Sequence, residues 1–367
     1  MRIAFFNWRD IRHPLAGGSE VYSHHILKRI AAMGHKVTVF SGCFRGGSFR
    51  EIIDGVEHIR FGGKYSIYAK SYFCYKKHVE GKYDVIVESI NGVPFFTPLF
   101  AKEPILAFIH QLTRQNWYSG LAFPLAFLGY HIEDYLLKPY TNLGAMVPSE
   151  STRSDLMALG FTDVNVIREG VEVKRPSRMT KNREPTMIYL GRLAKSKRVD
   201  HAILAFASLR KEIPGSKLWI AGSGPEEKSL KELSARLGLA ENVVFFGKVD
   251  EGRKAELLSA AHLLLFPATR EGWGLVVLEA NACGTPVIGY DVHGLRDSIK
   301  NGMNGFIVEE GDHPALARKA ASLLRNPEEL KRLSISSIWY SRNFDNDKSA
   351  EEFISLLERK IDGKKAH

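Results

Sequence analysis

Short apolar runs alternate with longer stretches in which apolar residues recur every three or four positions, along nearly the whole chain. The first kind reads as buried parallel strands and the second as amphipathic helices. Arg2–Asn7 predicts a strand, and Glu20–Met33 a helix with Val21, Ile26, Leu27 and Ile30 as its apolar positions. Strands follow at Lys36–Ser41, Val56–Phe61, Tyr83–Ser89, Ile105–Ile109, Ala145–Pro148 and Val164–Ile167. Such βαβα order argues for a parallel sheet covered by helices.

Residues 174–185 break the pattern. They are polar, hold two prolines and show no periodicity, which reads as a linker. A second alternation starts at Thr186–Leu190 and continues through Lys217–Ala221, Val243–Phe246, Leu263–Phe266, Pro286–Tyr290 and Gly305–Val308. The expected organisation is a Rossmann-like domain over 1–173, a linker over 174–185 and a second Rossmann-like domain over 186–344. Two such doubly wound parallel sheets, facing across a cleft, would bind ligands at the carboxyl ends of their strands. Asp347 to Ile361 has apolar positions at helical spacing. Tyr118 to Tyr140 is rich in aromatics and leucine, and two readings stay open for it: a core helix pair, or a greasy surface that touches lipid.

Composition narrows the class. The 367 residues suit two domains, each long enough to bury a core. Cys43, Cys74 and Cys283 are widely spaced, so neither a disulfide framework nor a metal knuckle is expected, and a cytoplasmic setting follows. The opening Met1-Arg-Ile-Ala-Phe-Phe reads as a strand, too brief for the apolar core of a signal peptide. No uncharged apolar run reaches the length of a membrane span. The net charge of +10 favours acidic partners. No aromatic-interleaved basic motif of the RNA-binding kind accompanies it, so phosphate binding and attraction to an anionic membrane surface are preferred to nucleic acid.

The densest chemistry lies in Glu271-Gly-Trp-Gly-Leu-Val-Val-Leu-Glu279, straight after the apolar Leu263–Phe266. A strand, a glycine-rich turn and a helix would present the N–H groups of Gly274, Leu275 and Val276 at a helix N-terminus, where an anion binds readily. Glu271 would lie at the mouth of that site and Glu279 about two turns along the helix. The spacing suits a long ligand with a phosphate in the middle and hydroxyls at both ends, as in a nucleoside diphosphate sugar. Gly191-Arg192-Leu193 ends another strand, with Lys197 five residues after Arg192. Two cations there read either as a diphosphate clamp or as a solvated basic loop.

The acidic stretch, with Gly284-Thr-Pro-Val-Ile288 after it, resembles the motif of the retaining family-4 glycosyltransferases, and the likeness extends over most of the chain. The resemblance implies an α/β GT-B fold, with a terminal helix (345–367) that crosses back to the first domain. It implies that Arg192 and Lys197 hold the diphosphate, and that Glu271 holds the transferring sugar and Glu279 the ribose. It implies a phosphate-side loop at Gly17-Gly18-Ser19-Glu20, and a donor-sugar contact from His110 at the end of Ile105–Ile109. Gly191, the loop Ala221-Gly222-Ser223-Gly224 and the backbone near Val249 would border the nucleotide. No metal or cofactor is expected, because GT-B enzymes generally hold the diphosphate with cations and helix N-termini. Asp345-Asn346-Asp347 is accordingly read as a helix cap.

Two departures stand out. Lys197 is followed by Arg198 where such enzymes commonly have glycine, which would alter the turn or add a third cation. Asp291-Val-His-Gly294-Leu-Arg-Asp297 keeps only Gly294 and Asp297 of a Gly-Gly-x-x-Glu pattern. The expected activity is retaining transfer of a hexose from a UDP- or GDP-sugar to a hydroxyl of a lipid-linked or other glycan acceptor, at the cytoplasmic face of a membrane. The alternatives are a nucleotide-sugar epimerase on the same fold, which would need acid–base carboxylates in the first domain, and a basic nucleic-acid-binding protein, which would bind in a strongly salt-dependent way.

Overall fold

The computed structural model describes residues 1–120, 122–173 and 180–365. The chain forms two compact units, Met1–Glu169 with Asp345–His367, and Gly170–Phe344.

The first unit is built on β1 (Arg2–Phe6), β2 (Lys36–Ser41), β3 (Arg50–Ile53), β4 (Val56–Arg60), β5 (Val85–Ile90), β6 (Ile105–Ile109), β7 (Ala145–Val147) and β8 (Val164–Val166). Their order is β3-β4-β2-β1-β5-β6-β7-β8. Every neighbouring pair is parallel except β3–β4, a hairpin closed by Asp54 and Gly55 at φ 49° and 81°. Two central residues at positive φ match the twist of the flanking strands. The sequence pattern misses β3, because an edge strand with Ile52 74% exposed carries no apolar signature. Helix Gly18–Ala32 buries Tyr22, Ile26, Leu27 and Ile30, while Val21 is only half-buried. Helix Asn346–Lys365 adds Ala350, Phe353, Leu356 and Leu357 to the same core.

The second unit carries β9 (Thr186–Leu190), β10 (Lys217–Ala221), β11 (Val243–Gly247), β12 (Leu263–Phe266), β13 (Val287–Tyr290) and β14 (Gly305–Val308). All pairs are parallel, in the order β11-β10-β9-β12-β13-β14. Met187, Ile188 and Tyr189 are fully buried, as expected for a central strand covered on both faces. The order reverses between β9 and β12. Those strands pair only at Leu263–Met187 and Leu264–Ile188, so beyond these residues they part. Such a switch point at the carboxyl ends of the strands is where open α/β sheets take ligands. Of the expected linker, residues 174–179 lie outside the described residues. Lys181 is tied down, its ammonium donating to the Ala261 and Gly284 carbonyls at 2.6 and 2.9 Å and to Thr285 Oγ1 at 2.9 Å.

Candidate active site

Three loops border the switch point of the second unit. The turn after β9 and the loop after β10 continue the sheet pairing beyond the strands. Gly191 N–H donates to the Ala221 carbonyl and Leu193 N–H to the Ser223 carbonyl, each at 3.0 Å. A Cβ on Gly222 would stand 1.8 Å from the Gly191 oxygen, and one on Gly224 2.2 Å from the Leu193 oxygen. These two glycines are therefore demanded by backbone packing within the chain. They hold Gly191 and Arg192 in place, and Arg192 projects into solvent with no side-chain partner among the described residues.

The segment after Arg192 makes a short turn, Lys195–Lys197. Thr269, after β12, grips it: its N–H and Oγ1 both donate to the Ser196 carbonyl, at 3.0 and 3.1 Å. The grip brings Lys197 onto Glu271, and the two side chains form an ion pair, 25% and 14% exposed. Arg198 settles the first departure. It adopts the left-handed conformation, φ 47°, that a glycine would take without strain. Its guanidinium turns to His201 Nε2 at 2.9 Å, and His201 Nδ1 bonds the Tyr290 hydroxyl at 2.6 Å. The turn is preserved, and the third cation is engaged away from Lys197 and Glu271.

Glu271 is held by its own backbone. Its N–H donates to the His293 carbonyl at 3.1 Å, and a Cβ on Gly294 would lie 2.3 Å from the Glu271 carbonyl oxygen. Gly294 also sits at φ 78°. Only glycine meets both demands, which explains why this glycine is kept from that pattern. Trp273 is buried and packs edge-on against Phe344, anchoring the turn. Gly274, at φ 85°, starts helix Leu275–Ala282. The first N–H groups of such a helix have no carbonyl four residues back, so Leu275 and Val276 offer donors at the crevice.

Glu279 is the fifth residue of this helix, just over one turn along, and not the expected two turns. The helix starts at Leu275, where the sequence places it, and the four residues from there to Glu279 make about one turn at 3.6 residues per turn. The Glu279 carboxylate meets Lys254 Nζ at 2.6 Å, from helix Glu251–Ala260. Burial works against the Lys254 charge, but the carboxylates of Glu279 and Glu251 outweigh it and hold its pKa above the ordinary lysine value. Sequence reading did not single out Lys254, since it stands 25 residues from its partner. Val249 is half-buried against the core beyond β11.

The remaining sequence-marked residues belong to the first unit. Gly17 precedes helix Gly18–Ala32, and Glu20 fixes the loop before it. The Glu20 carboxylate accepts from Gly17 N–H at 2.7 Å and from Trp8 Nε1 at 3.1 Å. Burial raises its pKa. His110 follows β6, is 6% exposed, packs at a tilt against Phe108 and shares a 3.3 Å hydrogen bond with Ser89 Oγ. Burial pushes its pKa down to about 3, so the imidazole is uncharged at neutral pH. Glu133 pins the following loop by accepting from Thr113 N–H at 2.5 Å and Arg114 N–H at 2.9 Å.

Among the described residues, no three His, Cys, Asp or Glu side chains are grouped to hold a metal ion. Asp345 Oδ1 accepts from Asp347 N–H at 2.8 Å at the start of the terminal helix, as a cap does.

Known proteins match this arrangement. Residues 171–337 match the family of glycosyl transferases group 1, and residues 16–175 match Glycosyltransferase Family 4. N-acetyl-alpha-D-glucosaminyl L-malate synthase of Bacillus anthracis is 37% identical over 177 residues, which is 47% of this chain and 45% of that protein's length. Sucrose-phosphate synthase from Thermosynechococcus elongatus superposes with a TM-score of 0.83 over 99% of both chains, at 21% identity. Anabaena HepE in complex with UDP-glucose superposes with a TM-score of 0.76 over 98% of this chain and 100% of its own, at 18% identity. The chain belongs to the family-4 glycosyltransferases, the glycosyl transferases of group 1, and has their GT-B fold.

Proposed function

We propose that the protein transfers a hexose, with retention, from a nucleoside diphosphate sugar to a hydroxyl of a glycan or lipid-linked acceptor. The observation that carries this reading is the meeting of Lys197 and Glu271 beside the start of helix Leu275–Ala282 at the switch point of the second unit. A cation, a carboxylate and unpaired N–H donors stand together where charge develops in glycosyl transfer. As the bond between the anomeric carbon and the phosphate oxygen breaks, negative charge grows on the diphosphate. Arg192, Lys197 and the helix N-terminus stabilise it there. Glu271 holds hydroxyls of the sugar, and Glu279 accepts from the ribose. The acceptor oxygen attacks the face the phosphate leaves, and its proton passes to a phosphate oxygen. For His110 the neutral ring fits a hydrogen bond to a sugar hydroxyl and not proton transfer near neutral pH. The likeness to HepE, whose structure holds UDP-glucose, supports a UDP-sugar. Incubation with UDP-, GDP- and ADP-hexoses without acceptor tests the reading. One of them should slowly release nucleoside diphosphate as water takes the acceptor's place.

We place the enzyme at the cytoplasmic face of an anionic membrane. No helix among the described residues is long and apolar enough to cross a membrane. Helix Phe123–Leu137 turns Ala126, Gly129, Glu133 and Leu137 inward and exposes Phe123, Leu125, Phe127, Leu128 and Tyr135. The buried face packs into the unit, and the exposed apolar face supports the lipid-contact reading. A second surface, 64–77, exposes Tyr65, Tyr72 and Phe73 among Lys64, Lys70, Lys76 and Lys77, with no acidic residue in the segment. Aromatics interleaved with lysines suit an interface of lipid headgroups. The protein should sediment with phosphatidylserine vesicles at low salt and be released as salt approaches 0.5 M, where screening falls below about 5 Å. Absence from the pellet at low salt would favour a soluble acceptor.

A further inference from the structure

Lys254 occupies what would be a plain surface position of helix Glu251–Ala260. A single turn of helix pairs it with Glu251 Oε2 at 2.7 Å, and Glu251 is 81% exposed. That contact alone would leave the lysine in water. Its side chain is instead only 14% exposed, and its ammonium reaches helix Leu275–Ala282 to donate to Glu279 Oε1. The stem starts from a fixed turn. Asp250 caps the helix by accepting from Arg253 N–H at 2.8 Å, and Ala255, Leu257 and Leu258 are buried in the core. Glu279 is thus gripped at one carboxylate oxygen, while its Oε2 has no partner among the described residues. The result is an oriented acceptor with one side engaged and one side open.

We propose that Lys254 is a positioning residue that sets Glu279 as a one-sided acceptor for the ribose hydroxyls of the donor, and so makes the enzyme select ribonucleotides. The proposal rests on the donor reading above. Lys254 has a second effect in the same geometry. An unpaired Glu279 carboxylate would repel an approaching diphosphate, and the ammonium cancels that field. The two effects separate by ligand. Loss of charge balance weakens every anionic nucleotide alike, whereas loss of the oriented acceptor weakens only those with the ribose hydroxyl it receives.

The test is calorimetric titration of wild type, Lys254→Met and Lys254→Arg. Methionine keeps the stem and removes the ammonium. The probes are UDP, GDP and ADP, their 2′-deoxy forms, and inorganic pyrophosphate. For the base that wild type prefers, the ribose form should bind at least about tenfold more tightly than the deoxy form, the scale of one hydrogen bond to a charged group. Lys254→Met should weaken pyrophosphate and the deoxy form by one common, smaller factor and the ribose form about tenfold more than either, bringing the ratio near one. Lys254→Arg should restore most of the preference. A ratio kept by Lys254→Met, or an equal fall for ribose and deoxy forms, would overturn the proposal and leave the donor reading standing. If wild type bound none of the nucleoside diphosphates, the donor reading itself would fall, and this proposal with it.

Discussion

Replacing Arg192 and Lys197 together by Ala should lower the affinity for free nucleoside diphosphate by roughly 10²- to 10⁴-fold, the sum of two hydrogen bonds to charged groups. Two observations argue for the upper part of that range. Arg192 is exposed, with no side-chain partner among the described residues, so its full donor set is open to a ligand. Lys197 is paired with Glu271, and its removal leaves that carboxylate uncompensated at the proposed diphosphate site. Repulsion is then added to lost attraction. Arg192→Ala alone should leave the melting temperature within about one degree of wild type, as surface substitutions do. Calorimetry with the preferred nucleoside diphosphate measures the loss, and circular dichroism checks that the double variant is folded. Unchanged affinity in a folded double variant would remove both residues from the diphosphate site.

Glu271→Gln should have the opposite signature in binding and a large effect on rate. The ion pair with Lys197 means that Glu271 offsets a cation before the donor binds. Neutralising it frees Lys197, so nucleoside diphosphate should bind as tightly as before or more so. Turnover should fall by about 10²- to 10³-fold, the cost of removing one group that acts chiefly on the transition state. As positive character grows at the reacting carbon, a carboxylate on the sugar gains and a neutral amide does not. In the proposed roles Glu279 holds the ribose, which does not change in the reaction, so Glu279→Gln should raise the Michaelis constant for the donor with a smaller effect on turnover. Steady-state kinetics of both variants with one donor separates the two roles. Full turnover by Glu271→Gln would leave its pairing with Lys197 a structural contact only.

Most of the fold is legible in the sequence because the central strands are buried on both faces. β2, β6, β9, β10, β12 and β14 are apolar runs whose ends coincide with their observed limits. The hairpin strand β3 is not visible that way. Arg50-Glu-Ile-Ile53 lies at an edge, half in water, and only the Asp54-Gly55 turn after it signals a hairpin. In the candidate site, local signals were the readable ones. Glycines at turns, a carboxylate after a strand and cations after another can all be found by position. What they bind to cannot. That Gly222 and Gly224 are demanded by Gly191 and Leu193 depends on two strands lying side by side. That the His201 which Arg198 meets is itself held by Tyr290, about ninety residues away, shows only in the fold. Lys254 reads as one more surface lysine until helix Leu275–Ala282 is placed beside it.

The most direct test of the central claim is the stereochemistry of acceptor-free turnover, followed by proton NMR in the presence of EDTA. One α-linked UDP-, GDP- or ADP-hexose should be consumed, the free sugar should first appear as the α anomer before it mutarotates, and Glu271→Gln should suppress the signal. Release of the β anomer first, dependence on an added divalent ion, or no turnover of any nucleotide sugar would contradict that claim.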